Sequence, residues 1–346
     1  MKLAFYSNQL GLRGTEVALY DYARLNEQVL GNKSIIFTSN KAGSLEAKNK
    51  FTSKFEVYEI DTNHIDEECK NHNVDVFYAQ KAGWNDGIYA KNTHSAIHVV
   101  FKGYQPHGDR IGFISDYLAK TSGHDPKDSS VPYFCNRLEF TEENLRSELY
   151  IKDDALVLGY LGGRDQFSLD FVRSTIIENR NFNSNIVYLF MNIDPFPLPD
   201  ITYKHNFIFL PGTYDLEYKN KFINTCDAML HARKDGETFG MSIAEYALKN
   251  KPIITYRPNQ YRRFDNEWEW VFDINYVEKD IELAHLDMLG EYGLYYKDSE
   301  ELKYIINNFH SLRDNMLENL RSFSAPYLKY NNPTYIMDRF NSVFLT

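Results

Sequence analysis

Two glutamates, Glu237 and Glu245, lie eight positions apart where a polar, glycine-bearing loop runs into an amphipathic helical pattern. The segment Phe239-Gly240-Met241-Ser242 is expected to leave backbone N–H groups free at the start of this helix. The helix dipole there also favours an anion such as a diphosphate. Because one glutamate precedes the helix and the other lies on it, the two carboxylates could reach different parts of one elongated, polyhydroxylated ligand. A nucleotide sugar is such a ligand, so this segment is the first candidate for an active site.

The sequence holds 48 acidic residues among 346, so pairs at this spacing also arise by chance. Either glutamate could be an ordinary charge at a helix start or on a helix surface. The flanking pattern favours a functional interpretation, because the apolar run 226–230 precedes the pair and the apolar run 252–256 follows the helix. The order strand, glycine loop, helix, strand is typical of units that bind nucleotides.

This part of the chain resembles the retaining glycosyltransferases of family 4, which have the GT-B fold. Their signature is a Glu, seven residues and a second Glu, with the first Glu opening a Glu-Gly-Phe-Gly loop. Here the loop is Glu237-Thr238-Phe239-Gly240, and the second Glu is Glu245. The resemblance extends more loosely to the segment Gly11 to Glu16 near the start of the chain. It implies that Glu237 holds hydroxyls of a donor sugar and that Glu245 accepts hydrogen bonds from a ribose.

Other glycines follow predicted strands, where a parallel sheet exposes its ligand-binding edge. Gly14 permits close approach of a ligand, or simply serves the turn before the first helix. Gly163 and Arg164 end the first strand of the second half, and Arg164 is placed to neutralise a diphosphate. Gly212 and Thr213 lie in a segment that, by the resemblance, passes over the nucleotide base, although a simple turn explains them equally well.

The resemblance also implies a lysine five residues after Arg164, but this chain has Leu169 there. Arg233 or Lys234, in the loop before Glu237, could supply the second cation, or could be solvated surface charges. The expected chemistry is stabilisation of the leaving diphosphate by Arg164 and the loop amides while the acceptor attacks from the same face. No carboxylate is assigned as a covalent nucleophile.

The family also uses a histidine of the first domain near the reacting sugar. His107 lies in a Pro-His-Gly-Asp loop after a strand and is the preferred candidate. His98 is the alternative, although a histidine inside an apolar strand is more often a core residue. The His-Asp pair that the family has at the strand end is replaced here by Phe101-Lys102.

Short apolar runs alternate with helical patterns, which predicts an α/β protein with parallel sheets. The predicted strands are 2–6, 34–38, 55–60, 74–79, 94–101, 110–114, 155–161, 185–191, 207–210, 228–230 and 253–255, and the predicted helices are 16–29, 115–119, 168–179, 215–225, 300–309 and 333–344.

The length allows two hydrophobic cores. With the resemblance, we expect a GT-B fold of two Rossmann-like domains whose parallel sheets face each other across a cleft. Residues 1–140 would bind the acceptor and residues 141–328 the nucleotide-sugar donor. Residues 329–346 would form a helix that packs back on the first domain, a placement that only the resemblance implies.

The net charge of -10 and the pI near 5.5 argue against a nucleic-acid partner or an anionic membrane surface, and leave peripheral membrane contact open. No apolar segment is long enough to cross a membrane, and the three cysteines show neither zinc nor redox spacing, so we expect a cytoplasmic location. No Asp-x-Asp triplet occurs in a suitable loop and no His/Glu cluster has metal spacing, so no metal or other cofactor is expected.

The leading hypothesis is a retaining, metal-independent hexosyltransferase. It would move a sugar from GDP-mannose or a UDP-hexose to a hydroxyl of a glycan, a lipid-linked acceptor or a small molecule. One alternative is a GT-B-fold nucleotide-sugar epimerase. The other is a non-catalytic nucleotide- or glycan-binding protein, which Leu169 and the ambiguous histidine favour.

Overall fold

The structure, a computed structural model, describes residues 1–11, 13–39, 43–138, 141–182, 185–200, 202, 205–258, 261–264, 267–270 and 281–346. The chain divides into two compact units. The first unit is Met1–Cys135 together with Lys329–Thr346, and the second is Asn136–Leu328. Among the helices of these ranges, none is both long and apolar enough to cross a bilayer.

The first unit is built on one parallel sheet. Its strands are β1 (Lys2–Ser7), β2 (Lys33–Thr38), β3 (Glu56–Glu59), β4 (Val76–Lys81), β5 (His94–Val99) and β6 (Arg110–Phe113). Its helices up to Cys135 are α1 (Gly14–Gln28), α2 (Leu45–Thr52), α3 (Ile65–Asn71), α4 (Asp116–Thr121) and α5 (Pro126–Ser129), with a 3-10 turn at Thr62–His64. The strand order is β3-β2-β1-β4-β5-β6. The central strands are buried on both faces, as parallel strands covered by helices must be.

The second unit repeats this plan and adds two small sheets. Its strands are β7 (Leu156–Leu161), β8 (Ile186–Met191), β9 (Phe207–Leu210), β10 (Ala228–His231), β11 (Gly236–Glu237), β12 (Ile253–Tyr256), β13 (Tyr261–Phe264), β14 (Glu267–Trp270), β15 (Glu282–Leu283) and β16 (Gly293–Tyr296). Its helices are α6 (Asp170–Phe182), α7 (Leu216–Thr225), α8 (Met241–Leu248), α9 (Ala284–Leu289), α10 (Ser299–Asn307) and α11 (Phe309–Leu320), with 3-10 turns at Gly290–Tyr292 and Ala325–Asn331. The large parallel sheet has the order β16-β12-β10-β7-β8-β9; β11 pairs with β15, and β13 with β14.

In each sheet the first three strands extend to one side, and the next strand is added on the other side of the first one. In the first unit β4 returns beside β1, and in the second β10 returns beside β7. Ligands of open α/β sheets bind outside the carboxyl ends of the strands at such a switch point. The residues that follow β7 and β10 are therefore the first candidates for a ligand site in the second unit.

An aspartate closes each switch point at the amino end of the strands. Asp75 Oδ2 accepts a hydrogen bond from the Lys2 N–H, and Asp227 Oδ2 accepts one from the Val157 N–H, each at 2.7 Å. The Asp75 and Asp227 N–H groups donate back to the Lys2 and Val157 carbonyl oxygens at 2.9 and 2.8 Å. Charge-assisted bonds of this kind are stronger than neutral ones. They hold the first and fourth strands of each unit in register.

The predicted α/β architecture with two Rossmann-like parallel sheets is confirmed, and each predicted strand is found with small shifts of its ends. The strand predicted at 94–101 ends at Val99, and Phe101 is exposed. The helix predicted at 300–309 is interrupted at Asn308, where α10 ends and α11 begins. The sequence did not predict α2, α3 or the edge strand β16, whose residues alternate between half-buried and buried positions.

The last segment of the chain belongs to the core of the first unit. It contains α12 (Pro333–Phe340), followed by one π-helical turn at Asn341–Leu345. The Phe340 side chain is fully buried, with its ring centroid 5.3 Å from that of Tyr22 and 5.1 Å from that of Tyr78. Residues more than 250 positions apart in the sequence therefore share one aromatic cluster.

We expect Phe340→Ala to lower the free energy of unfolding of the first unit by about 3–5 kcal/mol, because it removes a fully buried ring and leaves a cavity. Urea unfolding followed by circular dichroism measures this loss. The control is Phe101→Ala in the same unit, where the side chain is 47% exposed and the expected change is within about 0.5 kcal/mol. Equal effects of the two substitutions would contradict the place of α12 in the core.

Candidate active site

Two glycines shape the segment between β10 and α8. Gly236 has φ +65°, and a Cβ added to it would lie 1.9 Å from the Glu282 carbonyl oxygen, so no side chain fits there. Gly240 precedes α8 with φ +87° and ψ +62°, in the left-handed region that favours glycine. The chain can therefore leave the large sheet, form the two-residue strand β11 beside β15 and start α8 within a few residues.

Glu237 lies between these glycines in a largely buried ion pair. Its Oε2 accepts a hydrogen bond from Arg233 Nη1 at 2.9 Å, and its Oε1 lies 3.4 Å from His231 Nε2. Only 13% of the Glu237 side chain is exposed. Burial by itself would raise the pKa of Glu237, but the hydrogen bond with His231 and the charge of Arg233 outweigh it and lower the pKa to about 2. Glu237 is therefore ionised at physiological pH.

His231, which was not predicted from the sequence, is held in place by its neighbours in the sheet. Its Nδ1 is 2.9 Å from Thr255 Oγ1, and Thr255 is its register partner on β12. Its carbonyl oxygen accepts a hydrogen bond from the Tyr296 hydroxyl at 2.8 Å. The sequence feature that could have indicated His231 is its position as a polar residue at the carboxyl end of a buried strand, six positions before Glu237.

His285 completes this buried group and was also missed. Its ring centroid lies 5.0 Å from that of His231, and it is 2% exposed. Burial lowers the pKa of His285 to about 3, with a further contribution from His231, so the imidazole is neutral at physiological pH. We find no sequence signal for it, because it lies 48 positions after Glu237 on a separate helix.

The start of α8 offers free hydrogen-bond donors. Its first intrahelical bond runs from the Ala244 N–H to the Gly240 carbonyl oxygen at 3.0 Å. Gly240 has no side chain to cap the helix, and the N–H groups of Met241 and Ser242 have no partner within the described residues. Phe239 is 2% exposed and anchors the preceding turn. Free first-turn amides at the positive end of a helix dipole form a site for an anion.

Glu245 lies one turn further along α8 and has a different cationic partner. Its Oε1 accepts a hydrogen bond from Lys219 Nζ on α7 at 2.6 Å, and 9% of its side chain is exposed. A hydroxyl that binds Glu245 must therefore share this carboxylate with Lys219. The two glutamates of the sequence motif are each neutralised by a separate cation.

Arg164 and Gly163 follow β7 at the switch point. The Gly163 N–H donates to Gln166 Oε1 at 2.8 Å. Arg164 Nε donates to Asp194 Oδ1 at 2.9 Å, but 77% of the Arg164 side chain is exposed. An ion pair this exposed is weak and salt-screened, so Arg164 is able to exchange partners.

Gly212 and Thr213 follow β9 and lie beside the loop after β8. A Cβ added to Gly212 would lie 2.7 Å from Asn192 Oδ1, so a larger residue here would require the Asn192 side chain to move. Asn192 Nδ2 donates to the Gly162 carbonyl oxygen at 2.8 Å, and Thr213 Oγ1 accepts from the Asp215 N–H at 3.0 Å. The loops after β7, β8 and β9 are thus connected along one edge of the sheet.

The loops on either side of the switch point also touch. The N–H groups of Ser168 and Leu169 donate to the Ala232 carbonyl oxygen at 2.9 and 3.1 Å, and the Lys234 N–H donates to Ser168 Oγ at 2.9 Å. Leu169 is 8% exposed, so its position faces the core rather than a ligand. Lys234 is exposed, and its ammonium has no ion pair in the described part of the chain. These contacts bring the Arg164 loop beside the loop that carries Glu237.

The remaining predicted site residues belong to the first unit. Gly14 is the exposed first residue of α1, and Leu12 of the same motif lies outside the described residues. His107 is 6% exposed, its Nδ1 bonds with the Gln105 carbonyl oxygen at 2.7 Å, and burial lowers its pKa. His98 is fully buried beside the Tyr78 hydroxyl at 2.7 Å, and burial lowers its pKa to about 3. Of the two histidines, His98 has the surroundings of a core residue.

Within the described ranges, no three or more His, Cys, Asp or Glu side chains gather in a way that could hold a metal ion. The three cysteines are buried and form no disulfide bond among the described residues. Metal independence itself stays a prediction.

No protein-family model and no curated protein matches this chain. Solved structures do match it over nearly its whole length. A glycosyltransferase from Rickettsia africae ESF-5 is 11% identical with a TM-score of 0.69, covering 99% of this chain and 97% of its own. Anabaena HepE in complex with UDP-glucose is 13% identical with a TM-score of 0.61, covering 99% and 96%. A putative UDP-N-acetylglucosamine 2-epimerase from Listeria monocytogenes is 11% identical with a TM-score of 0.57, covering 98% and 94%.

The chain has the GT-B fold. Its two six-stranded parallel sheets with interleaved helices match those of these neighbours, which confirms the fold class. At 11–13% identity the likeness shows the fold and leaves the activity to be argued from the site.

The low pKa of Glu237 predicts a specific pH dependence of stability. A carboxyl whose folded-state pKa lies near 2, below its ordinary 4.5, stabilises the folded chain above pH 4.5 and loses this contribution as the pH falls towards 2. We expect Glu237→Gln to lower the free energy of unfolding by on the order of 3 kcal/mol at neutral pH, with the difference shrinking towards pH 2.

Denaturant unfolding of the two proteins between pH 7 and pH 2 measures this difference. The control is Glu300→Gln, where 87% of the side chain is exposed and a small, flat difference is expected. A Glu237→Gln difference that does not change with pH would show that the carboxylate is not held in this ion pair.

Proposed function

We propose that this chain is a retaining glycosyltransferase that moves a hexose from a nucleotide diphosphate sugar to a hydroxyl of a glycan, a lipid-linked acceptor or a small molecule, without a metal ion. The observation that carries the proposal is the unbonded first turn of α8, which starts at the switch point beside the ionised Glu237. UDP-hexose and GDP-mannose are the donors considered. UDP is tested first, because HepE, which shares the fold, is known in complex with UDP-glucose.

The donor diphosphate is assigned to the Met241 and Ser242 amides. Glu237 accepts hydrogen bonds from hydroxyls of the donor sugar, and Glu245 accepts them from the ribose. Glu237 suits this role because it stays ionised and is held in one orientation by Arg233 and His231. The negative charge that develops on the leaving diphosphate is stabilised by preorganised amide dipoles and cations, which is the main catalytic contribution.

Lys234 is the better candidate for the second phosphate-binding cation. Arg233 is engaged with the buried Glu237 carboxylate, and removing it would leave that charge unpaired. Lys234 lies one residue further along, is exposed and has no ion pair in the ranges that the structure describes. Lys234 and Arg164 together would replace the arginine and lysine of the family pattern.

The acceptor is assigned to the first unit. His107 is the proposed catalytic histidine there, and Gly14, the first residue of α1, is proposed to contact the donor. His107 suits this role better than His98, because His98 is completely buried beside the Tyr78 hydroxyl, whereas His107 keeps some exposure. Because Nδ1 donates to the Gln105 carbonyl oxygen, Nε2 of the neutral imidazole can accept a hydrogen bond from a hydroxyl.

Gly240→Ala tests the diphosphate site. In wild type, UDP at 100 times its Kd should raise the free energy of unfolding by about 2.7 kcal/mol, seen as a higher Tm. Gly240→Ala places a Cβ at a left-handed backbone position, 3.2 Å from Ile243 Cδ1. It should raise the Kd for UDP at least tenfold and so reduce the rise in Tm that UDP causes.

The matched control is Gly31→Ala, which also has a left-handed φ of +68° but nothing within 4 Å of the added Cβ. It should cost similar backbone strain of about 1–2 kcal/mol and leave the UDP effect unchanged. Equal losses of UDP binding in both variants would refute the assignment of the diphosphate to α8.

Catalysis is tested by incubation of the chain with UDP-hexoses and GDP-mannose together with a panel of hydroxylated acceptors, and by measuring acceptor-dependent release of nucleotide diphosphate. Glu237→Gln should lower kcat by about 10²–10³, because it removes a preorganised charge beside the reacting sugar. Glu56→Gln, which changes an exposed ion-paired glutamate of the first unit, should leave kcat unchanged. Nucleotide binding without any turnover would instead support a non-catalytic binding protein.

An epimerase is the second candidate, because the fold is shared with the Listeria protein and because two buried histidines, His231 and His285, lie beside Glu237. Incubation with a UDP-sugar and no acceptor separates the two functions. Formation of an epimer without acceptor-dependent nucleotide release would establish the epimerase and exclude the transferase.

A further inference from the structure

Two large aromatic side chains of the first unit are exposed at the carboxyl edge of its sheet. Trp84 follows β4 and is 64% exposed, and Phe101 follows β5 and is 47% exposed. Neither ring makes an aromatic or cation–π contact in the described part of the chain. Both residues follow adjacent strands of the sheet, at the edge where ligands of such sheets bind, and exposed aromatic residues at such an edge are candidates for a contact surface.

The loops that carry these rings are tied to each other. The Gln105 N–H donates to the Gly83 carbonyl oxygen, and the Asn85 N–H donates to Gln105 Oε1, each at 2.9 Å. A Cβ added to Gly83 would lie 2.9 Å from Val99 Cγ1 and 3.5 Å from the Phe101 carbonyl oxygen. The two loops therefore pack closely, which fixes the backbone positions of Trp84 and Phe101 relative to each other.

Gln105 also connects this surface to His107. The Gln105 carbonyl oxygen bonds with His107 Nδ1 at 2.7 Å, which leaves Nε2 as the other ring nitrogen. His107 is 6% exposed, and its Nε2 is buried without a hydrogen-bond partner in the described residues. A buried polar atom without a partner is costly, and a ligand group that satisfies it recovers that cost.

We propose that Trp84, Phe101, Asn85, Gln105 and His107 form a saccharide platform, which binds a neutral sugar ring of the acceptor. The C–H faces of a pyranose ring pack against the electron-rich face of an aromatic ring, and its hydroxyls need amide and imidazole partners nearby. The side-chain amide NH₂ groups of Asn85 and Gln105 have no partner within the described ranges. This inference rests on the proposed function and narrows the acceptor to a glycan.

The charges around the saccharide platform favour a neutral ligand over a membrane or a phosphate. Lys81 is buried and donates to Asp86 Oδ1 and, at 2.9 Å, to the Ile88 carbonyl oxygen. The Lys102 ammonium lies 5.3 Å from the centroid of the Tyr117 ring. A lipid surface or a phosphorylated ligand needs a cluster of unpaired Lys or Arg side chains, and the nearby lysines are already engaged.

The test uses saturation-transfer NMR on the full chain with gluco-, galacto-, manno- and N-acetylglucosamine-configured trisaccharides, followed by titration of the strongest binder. Trp84→Ala should weaken this binding roughly tenfold, because one aromatic stacking contact is lost. The matched control is Tyr304→Ala, which removes a similarly exposed aromatic (61%) from the second unit and should leave binding unchanged. Both rings are exposed, so both variants should keep the wild-type Tm.

Saccharide binding that survives Trp84→Ala, or a wild-type chain that binds none of the trisaccharides, would overturn the proposal. Binding to vesicles of phosphatidylcholine and phosphatidylserine, lost in Trp84→Ala and without saccharide binding, would assign the surface to a membrane instead. The UDP-induced rise in Tm is measured in parallel. If UDP has no effect while Trp84-dependent saccharide binding persists, the proposed transferase function fails and the saccharide platform stands.

Discussion

Glu237 carries a negative charge where only 13% of its side chain reaches solvent, and much of the second unit is arranged to keep that charge stable. A carboxylate that loses its hydration is tolerated only when cations and hydrogen bonds compensate with good geometry. Arg233 supplies the cation from the same loop, and His231 supplies the second contact from the end of β10. Since His231 is in turn held by Thr255 on β12, the pairing register of the sheet determines where the carboxylate points.

The same loop also leaves the first backbone N–H groups of α8 without hydrogen-bond partners within the described residues. In the second unit, α7 and α10 begin with Asp215 and Asp298, whose side chains accept hydrogen bonds from their own first-turn amides. In those helices, first-turn amides are already bonded to the capping side chain and are not available to a ligand. At α8 the capping position is Gly240, and its left-handed backbone lets the helix start directly after Glu237. A glycine at this position therefore provides both the sharp turn and the unbonded amides.

The parts of this arrangement that depend on local sequence could be predicted, and the parts that depend on distant pairing could not. Strands buried on both faces give continuous apolar runs, so the parallel sheets were visible, as was the glycine loop that carries Glu237. The partner of Glu245, Lys219, comes from another helix 26 positions away, and no local pattern indicates it. The edge strand β16 was missed because half of its residues are only partly buried, which weakens the apolar run.

The distribution of charge at this edge of the sheet limits how an anion can be held there. Arg233 is paired with Glu237, Lys219 with Glu245 and Arg164 with Asp194, so three cations near the switch point already have carboxylate partners. The first two pairs are largely buried, and exchanging them would leave a carboxylate unpaired. The Arg164 pair is exposed and weak, and Lys234 is free of ion pairs in the described ranges. A diphosphate bound here, as we propose, would depend on backbone amides first and on these two exposed cations second, which makes the geometry around Gly240 more important than the number of basic residues.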